Sequence, residues 1–120
     1  MNEYQEKLKT KMDQYVHFVY DITERFPKSE LYGSTSQWRR ATLSIILNYL
    51  EGYARQKPLV RLNFLEISFG SLKESKYLLS FAKERRYIDS PVCEKGSELS
   101  EEIGAMLWSE IASLRKSVSI

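Results

Sequence analysis

The chain has 120 residues, enough for one compact core, so a two-domain organisation is not expected. It is 42% hydrophobic and 28% charged with only 5 Gly and 3 Pro, a composition that excludes a disordered or low-complexity chain. The formal net charge is only +2, yet its distribution is uneven. Residues 1–38 carry five Lys/Arg against six Asp/Glu, residues 39–86 ten against four, and residues 87–120 three against six. A basic middle third between weakly acidic ends can attract polyanions, or can be an ordinary solvated helical surface.

Tyr4, Leu8, Met12, Tyr15, Val19, Ile22 and Phe26 recur at spacings of three and four, which predicts a first helix ending at Pro27. Gly33 marks a turn. Ser34, followed three residues later by Gln37, has the spacing of a capping box and predicts the start of a second helix, ending between Gly52 and Pro58. This helix holds no charge between Arg40 and Glu51, so it needs cover on more than one side. A third helix is predicted from Pro58 to about Arg86. It has two apolar stripes, Phe64, Ile67, Ser71, Leu78 and Phe81 on one, Leu65, Leu72 and Leu79 on the other; one suits the core and the second a neighbouring helix or another subunit. Asp89-Ser90-Pro91 supplies a cap and a first-turn proline for a fourth helix carrying Leu99, Ile103, Met106, Leu107, Ile111, Leu114 and Val118. No segment alternates with period two, so the expected fold is an all-α, antiparallel up-and-down four-helix bundle.

The longest uncharged helical stretch, Ala41 to Leu50, is half of what a bilayer crossing needs, and no membrane partner is expected. The acidic start Met1-Asn2-Glu3 does not resemble a secretory signal, and the single Cys93 suits a reducing interior, so a cytoplasmic location is expected.

The second helix opens Ser36-Gln37-Trp38-Arg39-Arg40-Ala41-Thr42-Leu43-Ser44-Ile45 and continues through Asn48 to Glu51-Gly52. This resembles the S-x-x-R-R-A-x-x-S-I-x-x-N-x-x-E-G signature of the bacterial four helix bundle proteins encoded within intervening sequences of 23S ribosomal RNA genes. The segment Phe64-Leu65-Glu66-Ile67-Ser68-Phe69-Gly70-Ser71-Leu72-Lys73-Glu74 is similar to that family's F-L-x-I-A-x-G-S-L-x-E block, and the resemblance covers roughly residues 10–115. The wider family is similar to the accessory variability determinant of diversity-generating retroelements, a basic pentameric barrel that works with a reverse transcriptase and its template RNA. The resemblance therefore implies a non-enzymatic homo-oligomer, a pentamer, that binds RNA or DNA.

Ten positions are candidates for tracking a phosphate backbone: Arg39, Arg40, Arg55, Lys57, Arg61, Lys73, Lys76, Lys83, Arg85 and Arg86. Arg39 or Arg40 can instead pair with Glu51 or Glu74. Asn48, Glu51, Ser71 and Glu74 are expected to form a polar network across the second and third helices that fixes their register. Tyr32, Tyr53, Tyr77 and Tyr87 are the aromatics best placed for an interface or a base contact.

Catalytic and metal chemistry have no visible machinery. The carboxylates lack the Glu-x-x-His pairs of di-metal bundles, and the lone His17 is placed for an i,i+4 contact with Asp13. Cys93 lies where a helix terminus can lower its thiol pKa, but no nucleophile triad or Gly-rich phosphate loop accompanies it. No cofactor is expected. The rival to a nucleic-acid-binding bundle is a structural or protein-interaction bundle whose positive charge is incidental.

Overall fold

A computed structural model describes residues 1–119 and contains four long helices: α1 (Glu3–Thr23), α2 (Ser34–Ala54), α3 (Pro58–Glu84) and α4 (Ser90–Val118), with one 3₁₀ turn (Lys28–Glu30) between the first two. They form the all-α four-helix bundle expected from the periodicity. Successive helices run antiparallel, as cross-helix bonds fall in opposite order along each pair. Gln37 meets Glu74 while the Ile45 carbonyl meets Ser68 between α2 and α3, and Glu66 meets Arg115 while Lys76 meets Glu101 between α3 and α4. Tyr4 and Lys11 meet Met106 and Glu102, which sets α4 antiparallel to α1 and closes the ring. The body is elongated, 49 × 25 × 22 Å.

The helix ends follow local chemistry, with two corrections. Asn2 and Gln5 form a capping box at α1, each side chain accepting from the other's backbone N–H at 2.8 and 3.0 Å. The box expected at Ser34 and Gln37 does not form. Gly33 is the capping residue and makes no side-chain bond, Ser34 turns back to Glu30, and Gln37 donates to Glu74 at 2.8 Å. The Gln37 side chain is held by an acceptor on α3 instead of turning back to the helix start. Helix α1 also stops at Thr23, before Phe26: its end tightens into i→i−3 turns, Arg25 N–H to the Ile22 carbonyl and Phe26 N–H to the Thr23 carbonyl, ahead of Pro27. Phe26 stays buried and packs on Trp38 and Tyr87, at ring separations of 6.0 and 5.0 Å. Asp89 caps α4 as expected, accepting from the Val92 N–H at 3.0 Å.

The core joins Leu8, Met12, Tyr15 and Val19 of α1, Trp38, Ile45 and Tyr49 of α2, Leu65, Leu72 and Leu79 of α3, and Ile103, Leu107 and Ile111 of α4. Polar side chains are threaded through it, Ser68 and Ser75 among them. The Ser75 hydroxyl lies 2.8 Å from both the Trp38 indole nitrogen and the Tyr15 phenol, and Ser68 donates to the Ile45 carbonyl at 2.6 Å. Among the described residues, no buried side-chain nitrogen or oxygen lacks a partner, which fits the cost of leaving one unpaired.

Candidate nucleic-acid interface

The ten basic candidates do not form one surface. Two of them are internal braces. Arg39 donates from Nε to Thr23 Oγ1 at 2.8 Å and from Nη2 to the Tyr20 carbonyl at 3.3 Å, and its guanidinium lies 4.6 Å above the Tyr20 ring. It satisfies the open C-terminus of α1, where a cation also complements the helix dipole, and pairs with neither Glu51 nor Glu74. Arg61 does the same for α2, donating to the carbonyls of Gly52 and Arg55 at 3.2 and 2.7 Å beneath the ring of Tyr53. Two more are matched by carboxylates, Arg55 by Glu51 and Lys76 by Glu101. The Lys76 ammonium, through its hydrogen bond first and its charge second, lowers the pKa of the Glu101 carboxyl.

Among the described residues Lys73 makes no ion pair, and it lies 5.1 Å over the Phe69 ring. Arg40, Lys57, Lys83, Arg85 and Arg86 are exposed, and among the described residues no carboxylate comes within 4 Å of their charged groups. Lys83, Arg85 and Arg86 are grouped by the way α3 ends. Arg86 adopts a left-handed conformation (φ 63°), so its N–H reaches the Lys83 carbonyl and the Tyr87 N–H reaches the Ala82 carbonyl, each at 2.9 Å. That closing turn holds three cations on one exposed corner.

The expected network of Asn48, Glu51, Ser71 and Glu74 is divided. Ser71 bonds Ser44 at 2.7 Å, and Asn48 donates to the Ser44 carbonyl and hydroxyl at 2.8 and 2.9 Å, so Ser44 is the hub. Glu51 and Glu74 turn outward to Arg55 and Gln37. Carboxylates that can reach a charged or amide partner at the surface avoid the cost of burial. The buried register contacts are instead at Ser68 and Ser75, seven residues apart on the same face as Leu65, Leu72 and Leu79. That spacing was the available signal for them.

A second polar cluster sits near the other end of the bundle. Both oxygens of Glu110 accept from phenols, one from Tyr49 and one from Tyr53, whose rings meet edge-on at 5.1 Å. Burial first, then the hydrogen bond to Glu110, raises the pKa of both phenols well above the ordinary tyrosine value. The i,i+4 spacing of the two tyrosines signals a shared face, but nothing local identifies their partner on α4.

Of the four tyrosines proposed for base contact, Tyr32 and Tyr77 are exposed, Tyr32 almost completely at 94%. Tyr53 is committed to Glu110, and Tyr87 is half-buried against Phe26. Trp108, absent from that set because it neighbours the core stripe through Leu107, is 45% exposed. His17 is exposed beside Asp13 at 3.5 Å, and Cys93 is a half-buried free thiol. Among the described residues, no cluster of three metal-ligating side chains occurs, and no helix is long and apolar enough to cross a membrane. A cavity of about 670 Å³ lies between α1 and α4 and is rimmed by Asp13, Asp21, Glu98 and Glu102 as well as Arg25 and Lys95, away from the exposed cations of α2 and α3.

The uncharged stretch of α2 is not fully covered by its own chain. Leu47 is 57% exposed and Ile67 43%, with Leu50 and Val60 also open, so α2 and α3 share an outward apolar ridge. Of the α3 stripe Phe64, Ile67, Ser71, Leu78 and Phe81, Ile67 opens onto this ridge while Leu78 is buried in the core. The family model for the 23S rRNA-intervening sequence protein matches residues 5–109. The chain belongs to the 23S rRNA-intervening sequence protein family. Both sequence blocks that carried the resemblance fall inside the matched span, on α2 and α3. A solved structure from Bacteroides thetaiotaomicron, described as a protein with unknown function from the S23 ribosomal protein family, superposes on this family member with a TM-score of 0.81. It is 23% identical in sequence, with 87% of this chain and 97% of that chain covered, a likeness of fold. No curated protein matches this family member.

Proposed function

We propose that the chain is a non-enzymatic, self-associating bundle that presents a basic surface to nucleic acid, RNA or DNA. The observation that carries this is that six of the ten basic positions in residues 39–86, Arg40, Lys57, Lys73, Lys83, Arg85 and Arg86, are exposed and, among the described residues, without an ion-pair partner. Arg39 and Arg61 are engaged with backbone carbonyls, and Arg55 and Lys76 with carboxylates, whereas the cations of this segment without such a partner are available to phosphates. The binding is backbone electrostatics with counterion release, and it reads no sequence by itself.

The apolar ridge of Leu47, Leu50, Val60 and Ile67 supports self-association, because a contiguous apolar patch on an isolated bundle favours a partner. The resemblance to the accessory determinant of diversity-generating retroelements extends the proposal to a pentamer serving a reverse transcriptase.

Fluorescence anisotropy of labelled structured RNA and duplex DNA, titrated with nuclease-treated protein at several salt concentrations, tests the reading. Affinity that falls steeply with salt, and falls further when Arg40, Lys83 and Arg85 are replaced by Gln, is the expected result. A folded, oligomeric protein that binds neither at low salt is a protein-interaction bundle instead.

A further inference from the structure

The seam between α3 and α4 carries an aromatic and cationic strip that the basic-surface reading does not use. Along α3 the residues Glu66, Phe69, Lys73 and Lys76 recur at spacings of three and four, and along α4 Glu101, Gly104, Trp108 and Arg115 fall on the facing side. The ring of Phe69 meets that of Trp108 at 5.3 Å, tilted by 46°. A cation lies over each ring, Lys73 at 5.1 Å from Phe69 and Arg115 at 4.9 Å from Trp108.

The indole is open because its neighbours are small. A long helical side chain covers the turn preceding its own Cα, and for Trp108 that turn holds Gly104 and Ala105. On α3, a Cβ built at Gly70, beside Phe69, meets no atom within 4 Å. The core does not require Trp108 to be aromatic, since Leu107 and Ile111 are the fully buried residues of this part of α4.

We infer that Trp108 and Phe69, flanked by Lys73 and Arg115, form a stacking platform for an unpaired base of single-stranded RNA. The inference rests on the proposed nucleic-acid role and names the form of the ligand. A π-face flanked by cations matches a nucleotide, whose base stacks and whose phosphate takes the charge. A paired base keeps both faces inside the duplex and cannot use the shelf, whereas RNA loops and bulges present splayed bases to aromatic and guanidinium surfaces. Arg115 is shared with Glu66 at 2.5 Å and Lys76 with Glu101 at 2.9 Å, all at the surface, where such pairs are weak enough for a phosphate to replace them.

The experiment uses the intrinsic fluorescence of the full chain, in which Trp38 is buried and Trp108 is the exposed indole. The probes are an unstructured RNA 15-mer, DNA of the same sequence, and the corresponding RNA duplex. The expected result is quenching by the single-stranded RNA, absent in Trp108→Phe. Trp108→Ala is expected to lower single-strand affinity about tenfold or more with duplex affinity unchanged. Trp108→Phe keeps most of the affinity, and Lys73→Gln loses part of it.

Salt-sensitive binding with no quenching, and equal affinity in Trp108→Ala, removes the platform and leaves the basic-surface reading intact. Absence of any nucleic-acid binding by the wild type at low salt removes both. Tighter binding to the DNA strand overturns the assignment to RNA. If Trp108→Ala shifts the protein to a smaller assembly, Trp108 is a subunit contact and the platform is overturned.

Discussion

Trp38 donates its indole N–H to the hydroxyl of Ser75 at 2.8 Å inside a core where neither side chain reaches solvent. The Tyr15 phenol shares the same hydroxyl, so one small α3 residue fixes the mutual register of three helices. Ser75→Ala leaves the Trp38 donor buried without its acceptor and removes the partner of Tyr15. A loss of about 1–3 kcal/mol is expected, measured as a lower urea midpoint with an unchanged m-value. A variant as stable as the wild type would show that these groups repartner at no cost.

Arg86 couples stability and binding with opposite signs. Its left-handed backbone at the end of α3 disfavours any residue with a Cβ, so Arg86→Gly is expected to raise stability by about 1 kcal/mol. The same change removes a free cation and is expected to weaken nucleic-acid binding and shallow its salt dependence. Thermal unfolding and the anisotropy titration read the two effects separately. Arg39→Ala is the converse control: loss of the brace to Thr23 and Tyr20 lowers the melting temperature, while the salt slope stays the same.

The Tyr49–Glu110–Tyr53 cluster makes the fold sensitive to base. Both phenol pKa values are raised by burial and then by Glu110, so below the ordinary tyrosine value of 10.0 the folded and unfolded chains both keep these protons. Above it the unfolded chain releases them and the folded chain does not. The native state then binds more protons, and stability falls as pH rises. Denaturation midpoints are expected to decline from about pH 10 upward, with a shallower slope in Tyr53→Phe. Equal slopes in the two proteins would mean that Tyr53 does not contribute to the alkaline loss.

Two helical glycines, Gly96 buried and Gly70 exposed, are predicted to respond in opposite directions to alanine. A Cβ at Gly96 would lie 2.8 Å from both Leu79 and Phe18, which approach it from α3 and α1, so Gly96→Ala is expected to destabilise by about 1–3 kcal/mol through overpacking. At Gly70 the added methyl meets nothing, and Gly70→Ala is expected to gain up to about 1 kcal/mol from helix propensity. Chemical denaturation of the two variants in parallel tests both signs.

The apolar ridge predicts its own disruption. Leu47→Glu places a charge in the middle of the exposed α2 and α3 strip and is expected to reduce the assembly to a smaller species without loss of helicity. Light scattering coupled to size exclusion, with circular dichroism of the same sample, reads the outcome. An unchanged mass would place any self-contact elsewhere.

Helix identity was legible in the sequence because the spacing of apolar residues is a local property of one chain segment. The stripe of Leu8, Met12, Tyr15 and Val19 and the Asp89 cap each act within a few residues and appear as read, whereas α1 ends at Thr23, short of Pro27. The heptad run Leu65, Leu72 and Leu79 forms the core face of α3, while the other stripe is divided, with Leu78 buried and Ile67 exposed. Charge counts located the basic segment for the same reason, since they need only composition.

Which polar groups meet was decided by tertiary structure alone. Gln37 satisfies either the Ser34 backbone or Glu74, and only the position of α3 selects the second. Arg39 and Arg40 are neighbours with the same charge, yet a helix advances about 100° per residue, so one turns in to seal α1 and the other turns out to water. Hydrogen bonds and ion pairs between helices depend on azimuth and register, which the one-dimensional pattern does not contain until four helices have packed.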